Sequence, residues 1–204
     1  MYAGDYAKSN PERPAIIMAN SGKVVSYRAF DEQTSQLAHF LRDIGLNRLD
    51  HYAIFMENNS DYLICCGAGE RSGLYFTCVN SYLKPDELAY IINNSESKVL
   101  ITSLERLAVA EQSLKHCPAV DYCLVVGMRS SRGQYLPYEQ TLAGYPTTPI
   151  ADEYLGTPML YSSGTTGRPK GVLRPLGAAP PSQPLSLATF LTEIWLYRPD
   201  MVYL

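Results

Sequence analysis

One short segment of the chain combines hydroxyl groups, glycines and cations at a spacing suited to holding anions. A run of Ser, Thr and Gly extends from Ser162 to Gly167, and Arg168 and Lys170 follow within three positions. Glycines allow backbone N–H groups to turn towards oxygens, and four hydroxyls add short, adaptable donors. Because cations follow directly, the segment predicts a cradle for the oxygens of a phosphate chain.

The segment differs from the common P-loop, in which Gly, four residues and then Gly-Lys-Ser/Thr follow in order. Here Arg168 and Pro169 separate Gly167 from Lys170, and Gly171 follows the lysine. A flexible Ser/Gly linker is the alternative that composition leaves open. The apolar run directly before the segment, and the fixed Pro-Lys pair after it, favour the anion site.

Strands and helices alternate along the chain before this loop. A hairpin is predicted at 15–27, because Asn and Gly at its centre tolerate the positive φ of a turn. Ser26 is the expected N-cap of a helix whose apolar residues recur every three or four positions, and Gly45 ends it. Further strands are predicted at 52–56, 74–79, 99–102 and 120–126, and further helices at 60–71 (capped by Ser60), from Pro85 onwards, and at 104–114, 138–143 and 185–196.

This alternation predicts an α/β fold built from βαβ units with a largely parallel sheet. The run from Cys123 to Val126 is continuously apolar, as expected for a strand covered on both faces. The sequence is accordingly divided into an α/β region at 1–126, a loop-rich connection at 127–156, the phosphate loop at 157–173, and a Pro-rich segment with a helix at 174–204.

Composition excludes several classes of protein. Apolar residues make up 46% of the chain and charged residues 18%, so a sizeable core is expected and disorder is not. The net charge of −3 argues against a nucleic-acid-binding protein. The five cysteines show no CxxC pair or zinc-ligand spacing and are interpreted as buried, reduced thiols of a cytoplasmic protein. We expect neither a signal peptide nor a transmembrane segment.

The segment Tyr161–Val172 closely resembles the phosphate-loop signature of the AMP-forming adenylate superfamily. That family includes acyl-CoA synthetases, luciferases and the adenylation domains of peptide synthetases. The resemblance spans nearly the whole chain, since 25–27, 71–80 and 83–102 are similar to the segments that precede the family's loop. Within the family, the sequence most resembles bacterial fatty-acyl-CoA synthetases, and residues 77–80 are among the features of that resemblance.

This resemblance implies a fold, a reaction and a set of ligands. The fold is part of the large N-terminal domain of the adenylate-forming enzymes. A small-molecule carboxylic acid, by expectation a fatty acid, attacks the α-phosphate of ATP and gives an acyl-adenylate and pyrophosphate. The thiol of CoA then displaces AMP, and Mg²⁺ accompanies the nucleotide.

The resemblance also implies roles for individual residues. Lys170 would balance the charge that develops on the β- and γ-phosphates and is the expected catalytic residue. Ser162 would contribute an oxygen to Mg²⁺, which needs a carboxylate from elsewhere as well. The residues expected to bind ATP are Ser162, Ser163, Gly164, Thr165, Thr166, Gly167, Arg168, Pro169 and Lys170.

Other family features do not occur in 1–204. These are the Tyr-Gly-x-Thr-Glu string of the adenine pocket, the ribose-binding aspartate, and the C-terminal domain with its lysine. We therefore expect the chain to be a truncated front part of an acid–thiol ligase that is inactive alone. The alternatives are the adenylation domain of a peptide-synthetase-like system, a non-catalytic nucleotide-binding fragment, and a structural remnant with no ligand.

Overall fold

The computed structural model describes residues 2–162, 167–183, 186–198 and 201–202. The helices are α1 Ala3–Ser9, α2 Tyr27–Asp43, α3 Ser60–Ser72, α4 Pro85–Asn94, α5 Leu107–Leu114, α6 Tyr138–Leu142 and α7 Ser186–Ile194. The strands are β1 Pro14–Ile17, β2 Val24–Ser26, β3 His51–Phe55, β4 Tyr75–Cys78, β5 Ser97–Ser103, β6 Tyr122–Val126, β7 Tyr135–Pro137, β8 Thr157–Pro158, β9 Leu160–Ser162 and β10 Lys170–Val172.

Six of these strands form one sheet in the order β7-β6-β5-β3-β4-β8. Every neighbouring pair in it is parallel, which confirms the α/β class and the parallel sheet predicted from the sequence. Helix α3 connects β3 to its neighbour β4, and helix α4 then returns the chain past β3 to β5, the neighbour on its other edge. The direction in which successive strands are added to the sheet therefore reverses at β3, as in other open α/β sheets.

Two apolar layers cover the two faces of this sheet. Side chains of α2, α3 and α6 pack against one face, where Tyr52 and Ile54 are fully buried. Side chains of α4 and α5 pack against the other face, where Ala53 and Phe55 are buried. Alternate residues of β3 thus enter opposite layers, because successive side chains of a strand point to opposite faces.

Local signals in the sequence account for several helix ends. Ser26 caps α2 as predicted, since its hydroxyl accepts a hydrogen bond from the Ala29 amide at 3.2 Å. Gly73 ends α3 in the left-handed conformation, with φ of 65°. The prediction that Ser60 caps α3 is wrong, because the Asn59 side chain accepts from the Tyr62 amide at 3.0 Å and Ser60 is already helical.

Buried Arg71 connects four parts of the chain. Its guanidinium, in a side chain only 1% exposed, donates to Glu153 at 2.7 Å and lies 3.0 Å from the Asp31 carboxylate. It also donates to the Tyr2 hydroxyl at 2.7 Å and to the Ser35 hydroxyl at 2.6 Å. Burial alone would lower the pKa of Arg71, but Tyr2, Glu153 and Asp31 raise it above its ordinary value. The guanidinium therefore remains charged and links four parts of the chain: the N-terminal end at Tyr2, α2, α3 and the segment that enters β8.

The short strand β8 is attached by hydrogen bonds at both of its ends. The Gly156 amide donates to the Glu70 carbonyl at 2.8 Å, and the Met159 amide donates to the Phe76 carbonyl at 3.0 Å. A Cβ at Gly156 would lie 2.6 Å from the Leu74 carbonyl oxygen and closer still to that of Gly69. Glycine is thus required where the chain approaches the backbone of α3 and β4.

Sequence reasoning missed several short elements. The helix α1 and the strand β7 had no clear periodicity, and the helix predicted at 104–114 begins only at Leu107. The expectation of buried thiols is wrong for Cys78, which is exposed, and Cys66 is only half-buried. The segment 174–183 is irregular, in agreement with its prolines. Within the described ranges, no helix has both the length and the apolar character required to cross a membrane.

Candidate functional site

The predicted phosphate loop joins the two strands of an antiparallel hairpin. β9 leads into the loop and β10 leads out, with Tyr161 opposite Gly171 and Ser162 opposite Lys170. Directly opposed residues of an antiparallel pair point their side chains to the same face. The Ser162 hydroxyl and the Lys170 ammonium, both exposed, therefore lie on one face at the mouth of the loop.

The opposite face of the hairpin rests on α4. Tyr161 donates from its hydroxyl to Asn94 Oδ1 at 2.7 Å. Burial raises the pKa of Tyr161 to about 12, and nearby Tyr90 adds to the effect, so the phenol stays a donor at neutral pH. A Cβ at Gly171 would collide with the Met159 methyl group and lie 3.1 Å from Tyr161 Cζ. Gly171 thus allows the Tyr161 ring to approach the backbone of β10 closely.

Tyr90 of α4 supports the outgoing side of the loop. Its hydroxyl donates to the Pro169 carbonyl oxygen at 3.0 Å. The Arg168 guanidinium lies over the Tyr90 ring, 5.3 Å from its centroid. A cation at that distance is attracted by the ring quadrupole, so a single tyrosine positions both residues that precede Lys170.

The cations of this site are available to an anion. Among the described residues, no carboxylate forms an ion pair with Arg168 or Lys170, whereas eight ion pairs occur elsewhere. Gly167 adopts φ of 93°, a conformation that side chains other than glycine disfavour. The loop therefore ends in a turn that glycine adopts readily, followed by two cations that have no carboxylate partner in the part of the chain that the structure describes.

The chain beyond β10 is held against the sheet by backbone carbonyls. The Tyr75 hydroxyl donates to the Arg174 carbonyl at 2.6 Å, and Arg48 donates to the Leu176 carbonyl at 2.6 Å. Farther along, the Leu155 amide donates to the Ala179 carbonyl at 2.8 Å. The outgoing strand is thus fixed beyond its own pairing with β9.

The structure brings five of the predicted residues together: Ser162, Gly167, Arg168, Pro169 and Lys170 lie at the two ends of the loop. The other predicted ligands, Ser163, Gly164, Thr165 and Thr166, lie outside the described residues. The described ranges contain no group of three or more His, Cys, Asp or Glu side chains that could hold a metal ion. In the described part of the chain, the Ser162 hydroxyl is the one predicted Mg²⁺ ligand, and a single hydroxyl is too few protein ligands to hold Mg²⁺.

Two residues of this arrangement were not found by sequence reasoning. Tyr90 and Asn94 lie on α4, far from the loop in sequence. The only available signal was the apolar periodicity of α4, which places Leu88, Ile91 and Ile92 in the core and says nothing about which loop the neighbouring positions contact.

Comparison with known proteins gives a consistent family. A family model described as "AMP-binding enzyme" matches residues 5–201. The human protein "Acetyl-coenzyme A synthetase 2-like, mitochondrial" is 29% identical over 190 residues, covering 82% of this chain and 27% of that protein. The crotonobetaine/carnitine–CoA ligase of Escherichia coli is 26% identical over 179 residues, covering 83% of this chain and 34% of the ligase. The chain therefore spans about a third or less of the length of these curated relatives.

A solved structure shares the fold. The crystal structure of an anthranilate CoA ligase in complex with anthranoyl-AMP superposes with a TM-score of 0.72 at 23% identity. The match covers 84% of this chain and 34% of the ligase. At this level of identity the likeness establishes the fold of the large N-terminal region.

Proposed function

Because the chain belongs to the AMP-binding enzyme family, we propose that it forms the phosphate-binding part of a ligase that activates a carboxylic acid with ATP. The acid would be converted to an acyl-adenylate and then to an acyl-CoA. One observation carries this proposal: the hairpin register sets Ser162 opposite Lys170 at the mouth of a loop whose cations have no carboxylate partner among the described residues.

The proposed chemistry follows from the charge that develops during the reaction. When the acid carboxylate attacks the α-phosphate, negative charge accumulates on the departing pyrophosphate. Lys170 would stabilise that charge, and the loop residues 162–169 would orient the β- and γ-phosphates with hydroxyl and amide donors. Mg²⁺ would arrive with ATP and receive one oxygen from Ser162, because Mg²⁺ is commonly held by substrate phosphates and few protein ligands.

The class of acid is a finer part of the proposal. The family relatives carry names that refer to acetate, to crotonobetaine or carnitine, and to anthranilate. We propose a fatty acid for this chain, on the resemblance of residues 77–80, and a cytoplasmic location, since all five cysteines are free thiols. A panel of fatty acids, acetate, carnitine and anthranilate separates these classes directly.

The test is pyrophosphate release with ATP, Mg²⁺ and that panel, on this chain and on the complete product of its gene. Acid-dependent release by the complete product, with nucleotide binding but no turnover by residues 1–204, is the expected result. If neither protein released pyrophosphate with any acid, although both bound ATP, the result would favour a non-catalytic nucleotide-binding protein. Transfer of the acyl group to a carrier-protein thiol rather than to CoA would favour a peptide-synthetase-like system.

In the complete product of the gene, replacing Lys170 with alanine is expected to slow pyrophosphate release by at least about 100-fold, because a charge aimed at the leaving group is lost. Lys170→Arg keeps the charge and is expected to lose less. Lys170 is exposed, so its substitution is not expected to alter the melting temperature. Lys8→Ala, which removes an exposed lysine of α1, is the matched control for net charge. Equal rates for Lys170→Ala and Lys8→Ala would contradict the proposed role.

Tyr90→Phe is expected to weaken ATP binding about 2- to 10-fold, because the hydrogen bond to the Pro169 carbonyl is lost while the ring under Arg168 remains. Isothermal titration calorimetry of this chain measures the change. Tyr82→Phe is the matched control, since Tyr82 also lies beneath an arginine, Arg106, but forms no hydrogen bond with the described residues of the loop. The same loss of affinity in both variants would show that Tyr90 does not position the loop.

A further inference from the structure

Two thiols meet where α3 passes the end of β4. Cys66 Sγ and Cys78 Sγ lie 3.7 Å apart, although neither has a role in the phosphate hairpin. Cys78 is the last residue of β4 and is exposed, while Cys66 is half-buried on α3. A disulfide needs its sulfurs about 2 Å apart, so this pair lies less than about 2 Å outside bonding distance.

The surroundings of the pair favour one thiol as the nucleophile. A hydrogen bond from the Cys66 thiol lowers the pKa of Cys78, and a hydrogen bond from the Tyr62 side chain adds to this effect. The same contact with Cys78 raises the pKa of Cys66. Because the thiolate is the reactive form of cysteine, an exposed Cys78 next to a protonated Cys66 has the arrangement of an attacking and a resolving thiol.

The remaining cysteines lack these properties. Cys65, Cys117 and Cys123 are buried. Burial raises the pKa of Cys117 to about 11 and that of Cys123 to about 12. Cys65, next to Cys66 on α3, turns its sulfur towards the Tyr138 hydroxyl at 3.9 Å. Buried neutral thiols of this kind react slowly with oxidants, so oxidation is expected at the Cys66–Cys78 pair.

We propose that Cys66 and Cys78 form a hydroperoxide-sensitive modification site, in which Cys78 is oxidised first and Cys66 then closes a reversible disulfide. In the first step the Cys78 thiolate attacks an oxygen of the hydroperoxide. The O–O bond breaks, Cys78 becomes a sulfenic acid, and the second oxygen takes a proton and leaves as water or an alcohol.

In the second step the Cys66 sulfur attacks the sulfur of that sulfenic acid. The S–O bond breaks, the S–S bond forms, and the departing hydroxide takes the Cys66 proton and leaves as water. Two thiols are oxidised by two electrons, and one hydroperoxide is reduced. Because Cys78 is exposed, a small thiol reductant can reach the product and reverse the reaction.

The test uses the reduced chain, hydrogen peroxide and peptide mass mapping without a reducing agent. We expect a mass lower by two hydrogen atoms, a crosslink between the Cys66 and Cys78 peptides, and recovery with dithiothreitol. Brief alkylation of the untreated protein should label Cys78 at least about tenfold faster than Cys117 or Cys123. An unchanged mass, a crosslink involving another cysteine, or equal alkylation of the three would overturn the proposal.

Variants separate the two roles. Cys66→Ser should form no disulfide and should leave a Cys78 sulfenic acid that dimedone captures. Cys65→Ala, which removes the adjacent but buried thiol, should form the crosslink as the unmodified protein does. Far-ultraviolet circular dichroism confirms that each variant is folded. A crosslink that persists in Cys66→Ser, or one that disappears in folded Cys65→Ala, would contradict the assignment.

Discussion

Replacing Arg71 with methionine is expected to lower the free energy of unfolding by about 3 kcal/mol. The substitution keeps much of the side-chain volume but leaves the carboxylates of Glu153 and Asp31 without their cation. Those side chains are 19% and 21% exposed, so water compensates them in part. The Ser35 and Tyr2 hydroxyls lose hydrogen bonds as well. Urea unfolding followed by circular dichroism measures the change.

An exposed pair provides the matched control for Arg71. Arg28 and Glu12 form an ion pair at 2.8 Å, with side chains 54% and 77% exposed. Surface pairs contribute little, so Arg28→Met should cost less than about 1 kcal/mol. Arg71→Lys should fall between the two, because one ammonium cannot reproduce the fork of the guanidinium. If Arg71→Met cost no more than Arg28→Met, the buried network would not hold these elements together.

Gly156→Ala is expected to lower the free energy of unfolding by about 3 kcal/mol, because overpacking of this kind cannot be relieved by a side-chain rotation. The added Cβ would meet carbonyl oxygens of Gly69 and Leu74, which belong to the backbone of α3 and the approach to β4. Relief requires β8 to move, and β8 leads directly into β9 and the loop. We therefore expect loss of ATP affinity together with loss of stability.

Gly144→Ala is the control for this substitution. Nothing lies within 4 Å of a Cβ built at Gly144, so the added methyl should change the unfolding free energy by less than about 0.5 kcal/mol. Thermal melts and ATP titrations of both variants decide the matter. A Gly156→Ala protein that melts and binds like Gly144→Ala would show that the close approach at β8 is dispensable.

The sequence predicted those parts of the fold whose signals are local. Periodicity located α2 and α4, the continuously apolar run located β6, and Ser26 marked a helix start that the structure confirms. The run of small residues at 162–167 predicted a phosphate loop, and its described end residues, Ser162 and Gly167, lie at the end of β9 and shortly before β10. These features depend on residues a few positions apart, which a single sequence displays directly.

Features that depend on distant contacts were not predictable in the same way. β8 has two residues, and only its parallel pairing with β4 makes it a strand. Gly156 has an ordinary local sequence, and its requirement for glycine arises from carbonyls of α3 and β4. In the sequence, Tyr90 is simply one position of the α4 pattern. Only the folded structure shows its hydrogen bond to the Pro169 carbonyl of the hairpin. The predicted cap Ser60 was one position too late, because Asn and Ser are both favoured at N-caps and only the folded backbone shows that Asn59 holds that position.

The edge position of β8 has a consequence for how the chain folds. Its partner β4 lies far back in the sequence, beyond α4, β5, α5, β6, β7 and α6. Bringing β8 next to β4 costs chain entropy, because the segment between them is long. The few contacts of β8 offset that cost only after β4 is in place. During synthesis the central strands β3 and β5 therefore have their neighbours before the β9–β10 hairpin can dock. The hairpin is expected to be the last part of the sheet region to become ordered and the first to be released when the protein begins to unfold.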